Sequence, residues 1–189
     1  MQLGVRLWTV EEYHRMVAAG ILHPDERVEL IEGQVIPMAA KGTAHAAAIT
    51  RTARVLRNGL ESQGLVRTQD PIRLDDYSEP EPDVAVVRLN ELDYADHHPT
   101  LEEIYLLIEV ADTSLSRDCE TKAKVYAQAG IADYWVLDVN NRQLRVFRSP
   151  THNGYQTNTV LAEDDNISPL LFPSLRVAIQ EILPPRVAG

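Results

Sequence analysis

The chain has 189 residues, with 28 acidic and 18 basic side chains and a formal net charge of −10. One cysteine, Cys119, excludes an internal disulfide and any paired-cysteine zinc or redox site, and the six histidines contain no HxxxH pair. A chain of this length buries enough surface to form a core without such staples, and bulk charge of this sign excludes nucleic-acid binding by net attraction alone.

The opening residues, Met1 to Thr9, carry one arginine and no apolar signal core, and no apolar run approaches membrane-spanning length. These features predict a cytoplasmic protein outside the membrane. Thr9 with Glu12 forms a capping-box signal for a helix that runs to Ala19 and stops at Gly20. Val28 to Ile36 reads as a hairpin about Glu32-Gly33, with Glu29 as a carboxylate on an otherwise apolar strand. A second helix is expected from Thr43 to Gln63, closed by Gly64 and bearing Arg51, Arg54 and Arg57 on one broad face.

Short strands at about 65–69 and 72–75 lead into a proline-rich entry, Ser78-Glu79-Pro80-Glu81-Pro82, and then Asp83. Asp83 to Leu89 and Ile104 to Ala111 read as strands, the second nearly continuously apolar and therefore central. Ser116 caps a helix to Ala129, ended by Gly130, followed by a buried strand from Asp133 to Val139 and an Asn140-Asn141 turn. A returning strand through Leu144 to Phe147, a further strand pair and a short helix near 177–183 complete the chain. With no repeat and no linker, the order predicts one α/β domain over residues 1–189, a mixed β-sheet flanked by helices.

Charge is distributed unevenly. Residues 41–73 hold six basic groups against two acids, and residues 74–109 hold eleven acids against Arg88 alone. Within that acidic stretch, Asp83 stands at the mouth of one strand and Glu109 inside the next, and Lys122 lies on the helix that follows. A carboxylate in a central strand must be paired, protonated or metal-bound, because burying it bare costs several kcal/mol. Two carboxylates and an ammonium outline a phosphate-ester site, in which Asp83 and Glu109 would hold Mg²⁺ or Mn²⁺ and Lys122 would orient water. Asp118 and Lys122, four residues apart, are expected to pair on one helical face, with Lys124 as the reserve lysine.

Each residue also has a plainer reading. Asp83 could be a solvated strand entry, Glu29 a hairpin residue paired with an arginine, His45 a helix-end polar group, and the arginines a solvated face. Tyr126, Tyr134 and Trp135 read as core packing.

At these residues the sequence resembles the Uma-type restriction endonucleases, a branch of the PD-(D/E)XK nuclease superfamily. Three blocks carry the resemblance: Ser78 to Val87 around Pro82-Asp83; Ile108-Glu109-Val110-Ala111-Asp112-Thr113-Ser114-Leu115 with Asp118 and Lys122; and Tyr126, Gly130-Ile131 and Asp133 to Asp138. The resemblance implies a restriction endonuclease-like core, Mg²⁺-dependent phosphodiester hydrolysis and a homodimer. It makes Asp83 and Glu109 the metal ligands and matches Glu29 to an early acid that assists metal or water. The superfamily pattern asks for lysine two residues after the second acid; Ala111 stands there, and Lys122 matches the lysine that this branch carries on the next helix.

The expected function is a metal-dependent DNA endonuclease, with Lys41, His45, Arg51, Arg54 and Arg57 meeting the phosphate backbone. The alternatives are a catalytically silent or partner-dependent binding module on the same fold and, more distantly, a small-molecule phosphoesterase.

Overall fold

A computed structural model describes residues 4–23 and 25–186, so the first three residues of the leader reading lie outside the described residues. Helix α1 (Val10–Ala18) starts at the expected reciprocal cap between Thr9 and Glu12. The hairpin forms from β1 (Val28–Ile31) and β2 (Gln34–Pro37), paired antiparallel. Its two turn residues, Glu32 and Gly33, both have positive φ, 47° and 74°, the geometry of the tight turn that matches strand twist. Gly33 is required there, since a Cβ would meet Leu7 Cβ at 2.6 Å.

Helix α2 (Thr43–Leu60) buries Ala48, Ile49, Thr52, Ala53, Leu56 and Leu60, a repeat of three and four residues that gives one apolar stripe. It ends three residues earlier than expected, because Glu61, and not Gly64, takes the positive-φ position that reverses the chain. The predicted strand at 72–75 is an irregular extended segment outside the sheet, tied by single amides such as Ile72 N–H to the Pro80 carbonyl.

The main sheet has six strands in the order β3 (Leu65–Thr68), β4 (Val84–Val87), β5 (Ile104–Ala111), β6 (Asp133–Asp138), β7 (Gln143–Thr151) and β8 (Gly154–Ala162). Only the β5–β6 pair is parallel, so the sheet is mixed, and β5 is interior as its apolar run predicts. The parallel connection carries a π-helical turn, Arg117–Lys122, continuing into α3 (Ala123–Ala129). Ser116 adopts helical backbone and caps nothing; α3 ends, as expected, at Gly130 with φ 89°. Two short strands, β9 (Asn166–Ile167) and β10 (Val177–Ala178), pair before α4 (Ile179–Ile182).

Strand alternation divides the core between the two sheet faces. Val84, Val86, Leu106, Ile108, Val110, Trp135 and Leu137 pack with α2 and α4 on one face. Ala85, Val87, Leu107, Ala111, Tyr134 and Val136 pack with Tyr126 and its α3 neighbours on the other. Glu109, between Leu107 and Ala111 in parity, therefore points to the α3 face. Asp83 precedes β4 and keeps the parity of Ala85. The period of two thus delivers both acids to one side of the sheet. None of the described helices is long and apolar enough to cross a membrane.

Candidate metal-dependent active site

Four residues from four segments meet on the α3 face. Glu109 Oε1 accepts hydrogen bonds from Lys122 Nζ at 2.9 Å and Tyr126 Oη at 3.0 Å. Lys122 Nζ also lies 3.0 Å from Glu29 Oε2, so the ammonium bridges two carboxylates. Glu29 Oε2 additionally accepts the Glu81 amide, while its Oε1 is buried without a partner. Asp83 Oδ2 accepts the Val110 amide at 2.9 Å, which seats this carboxylate against the strand that carries Glu109. Glu29, Asp83, Glu109 and Lys122 are all buried, each within 6% of complete burial.

His45 and Lys41 stand on the other side of Asp83. His45 Nε2 is 3.0 Å and Lys41 Nζ 3.7 Å from Asp83 Oδ1, with Gln69 Nε2 at 3.4 Å. The structure thus places two residues expected at the DNA backbone directly on a candidate metal ligand. Arg51 and Arg57 are engaged within the chain: Arg51 reaches the Gln180 carbonyl and Arg57 the Val66 carbonyl. The three arginines diverge, since Arg57 turns toward β3 whereas Arg51 and Arg54 line a cleft of about 450 Å³ with Arg176. Lys124 is exposed on the opposite side of its helix.

The expected Asp118–Lys122 pair is corrected by the π-helical turn. Its wider winding carries Lys122 away from residue i−4 and toward the strands. Asp118 instead accepts from Ser114 Oγ. Tyr126, read as core packing, is also a donor to Glu109; its place four residues after Lys122, one turn on, is the signal that connects them.

Electrostatics follow from burial and these contacts. Burial, reinforced by Asp83, Asp118 and Glu29 and opposed by Lys122, pushes Glu109 up to about 8. Burial alone would lower Lys122, but Glu109 and Glu29 outweigh it and raise the ammonium above its ordinary range, so it stays charged. Burial would raise Asp83, yet the His45 ring, the Val110 amide and Lys41 hold it below the usual carboxylate range. Lys41, whose Nζ is buried without a hydrogen-bond partner, is lowered by burial.

Asp83, Glu109 and Lys122 line a cavity of about 30 Å³, shared with Lys41, His45 and Asp118. That is the room of about one water or one ion. Both hydrogen bonds to Glu109 fall on Oε1, leaving Oε2 for an occupant, and Glu29 Oε1 is an acceptor still wanting a donor or cation. An all-oxygen set with carboxylates of high charge fits Mg²⁺ or Mn²⁺ in preference to softer ions.

A mixed sheet flanked by helices, with acids at a strand entry and inside the next strand, belongs to the restriction endonuclease-like class. The crystal structure of a putative nuclease from Anabaena variabilis superposes with a TM-score of 0.72 at 18% identity, covering 92% of this chain and 96% of that one. The family model Uma2, described as "Putative restriction endonuclease", matches residues 10–180. The chain belongs to that nuclease family. No curated protein matches it.

Proposed function

We propose that residues 1–189 form one domain that cuts phosphodiester bonds in DNA with the help of a divalent cation, Mg²⁺ or Mn²⁺. The observation that carries this reading is the convergence of Asp83, Glu109 and Lys122 on one small cavity from three separate segments. Asp83 and Glu109 are the residues that would hold the ion. Bound there, it would polarise the phosphoryl group and make water a stronger nucleophile.

The remaining roles belong to the chain's own groups. Lys122, held charged by its two carboxylates, acts as a donor and a fixed positive charge, and not as a base. Two of its three N–H groups are committed to Glu109 and Glu29, leaving one to orient water or meet the charge that develops on phosphorus. Glu29 fixes the lysine's position from the hairpin. His45 and Lys41 orient and keep ionised the carboxylate of Asp83. Arg51 and Arg54, with Arg176 beside them, offer phosphate contacts along α2.

The assay is cleavage of labelled DNA in Mg²⁺. Wild-type protein cuts, EDTA stops it, and Asp83→Ala and Glu109→Ala abolish it while retaining wild-type circular dichroism. Undiminished cutting by both folded variants removes this site from the reaction. Binding of DNA without cutting by the wild type in either Mg²⁺ or Mn²⁺ favours a binding module on the same fold. A homodimer, expected from the resemblance, is read from light scattering in the same preparation.

A further inference from the structure

A second group of metal-ligating side chains lies outside this cavity. His14 on α1, Glu79 in the segment before Asp83 and His98 in the loop after β4 each bring one donor atom, and the three atoms all lie within 4.8 Å of one another. His14 Nε2 is 2.6 Å from Glu79 Oε1, and the His14 and His98 rings meet edge to face with centroids 6.4 Å apart. We infer that His14, Glu79 and His98 form a second cation site, selective for a borderline divalent ion of the Zn²⁺ class.

Two independent observations point to a ligand there. Glu79 is only 4% exposed, and its Oε2 is sealed from solvent without a hydrogen-bond partner. His98 Nδ1 is likewise buried and unpartnered. Two buried polar atoms without a partner thus occur within one three-residue group, where such atoms are ordinarily satisfied. A cation shared between them satisfies both.

The donor set selects the ion. Two imidazoles and one carboxylate suit zinc, cobalt or nickel, whereas magnesium prefers an all-oxygen shell such as that of the first site. Drawing all three donors to about 2.1 Å from one ion takes side-chain adjustments from atoms that lie within 4.8 Å of one another. The His14 side chain, half exposed, is free to make them.

The surroundings define what such an ion does. The three ligands line a cleft of about 610 Å³, together with Arg73, Tyr94 and Thr100. Three protein ligands leave a fourth position for water. The ligands come from segments 65 and 19 residues apart in sequence. An ion would therefore tie α1 and the loop after β4 to the Glu79 backbone, which bridges Leu30 beside Glu29. It would cross-link the scaffold behind the first site.

The test is a zinc titration of the full chain against a competing chelator, with melting curves alongside. Wild-type protein binds a single Zn²⁺ and melts at higher temperature when loaded. His14→Ala and His98→Ala each weaken binding by at least about a hundredfold and lose the thermal shift. Asp83→Asn, which disables only the first site, leaves zinc affinity unchanged. X-ray absorption of the loaded wild type shows two imidazole ligands. Zinc bound as tightly by a His14→Ala/His98→Ala double variant, affinity lost in Asp83→Asn alone, or a zinc spectrum without imidazole overturns the proposal. Both histidines are partly or largely exposed, so their variants fold even where a Glu79 variant does not.

Discussion

Replacing Lys122 with methionine keeps the bulk of the side chain and removes its charge. In the wild type the ammonium is 2% exposed and sits 2.9 Å from Glu109 and 3.0 Å from Glu29, themselves nearly fully buried. Solvent screening is therefore negligible, and loss of one partner leaves buried carboxylate without a counter-charge, a change that costs about 3–5 kcal/mol. For a chain of this size that lowers the melting temperature by roughly 6–20 °C. The full cost appears only where Glu109 is ionised. Burial pushes this acid up to about 8 even beside the lysine. Above that pH the wild-type fold releases the proton and gains an ion pair, whereas the variant fold must keep the proton or bury a bare charge. The folded variant then binds more protons than the folded wild type, and its stability falls faster as pH rises. Melting curves by circular dichroism at pH 6 and pH 9 test this. The deficit is smaller at pH 6, where only the Glu29 contact is lost, and approaches the full value at pH 9. A deficit that is equal at both values, or absent at pH 9, refutes the reasoning, because it would mean that Lys122 does not neutralise Glu109.

Three further outcomes follow from individual contacts. Tyr126→Phe removes the hydroxyl that donates to Glu109 Oε1 and costs about 1–3 kcal/mol in urea unfolding, with DNA cleavage slowed but not abolished. Cys119, its thiol pushed up to about 11 by burial, is alkylated by iodoacetamide in the native protein with a rate midpoint near that pH, and a native midpoint at the unperturbed value of 9.0 contradicts its assigned surroundings. Arg54→Ala lowers the slope of log affinity for DNA against log salt by about one, read by fluorescence anisotropy, whereas Arg57→Ala, whose guanidinium is turned to the Val66 carbonyl, leaves the slope unchanged.

Most of the fold is visible in local chemistry. The reciprocal cap at Thr9 and Glu12, the Glu32-Gly33 turn, the apolar stripe of α2 and the apolar run of β5 each correspond to an observed element. The failures are places where a distant contact or an unusual winding decides. Residues 72–75 have strand-like composition, yet they bond irregularly to the proline segment instead of joining the sheet. Ser116 lies within helical backbone, and the π-helical turn rotates Lys122 from Asp118 to Glu109 and Glu29. Glu109 was legible as a chemical anomaly because one charge interrupts an apolar strand, and Asp83 by its position at the preceding strand's entry. Lys41 and His45 were legible only as polar groups near a helix start; their contact with Asp83 depends on how α2 is laid across the sheet. His14, Glu79 and His98 carry no spacing signal, since a helix, an extended segment and a loop bring them together.

The account rests on Asp83 and Glu109 sharing one divalent ion beside Lys122. A crystal structure grown in Mn²⁺ tests this directly through the metal's anomalous scattering. The account predicts a peak at roughly 2.1 Å from one carboxylate oxygen of each acid, the bond length of an octahedral oxygen site. Manganese seated elsewhere in the molecule, with neither carboxylate bonded to it, contradicts it.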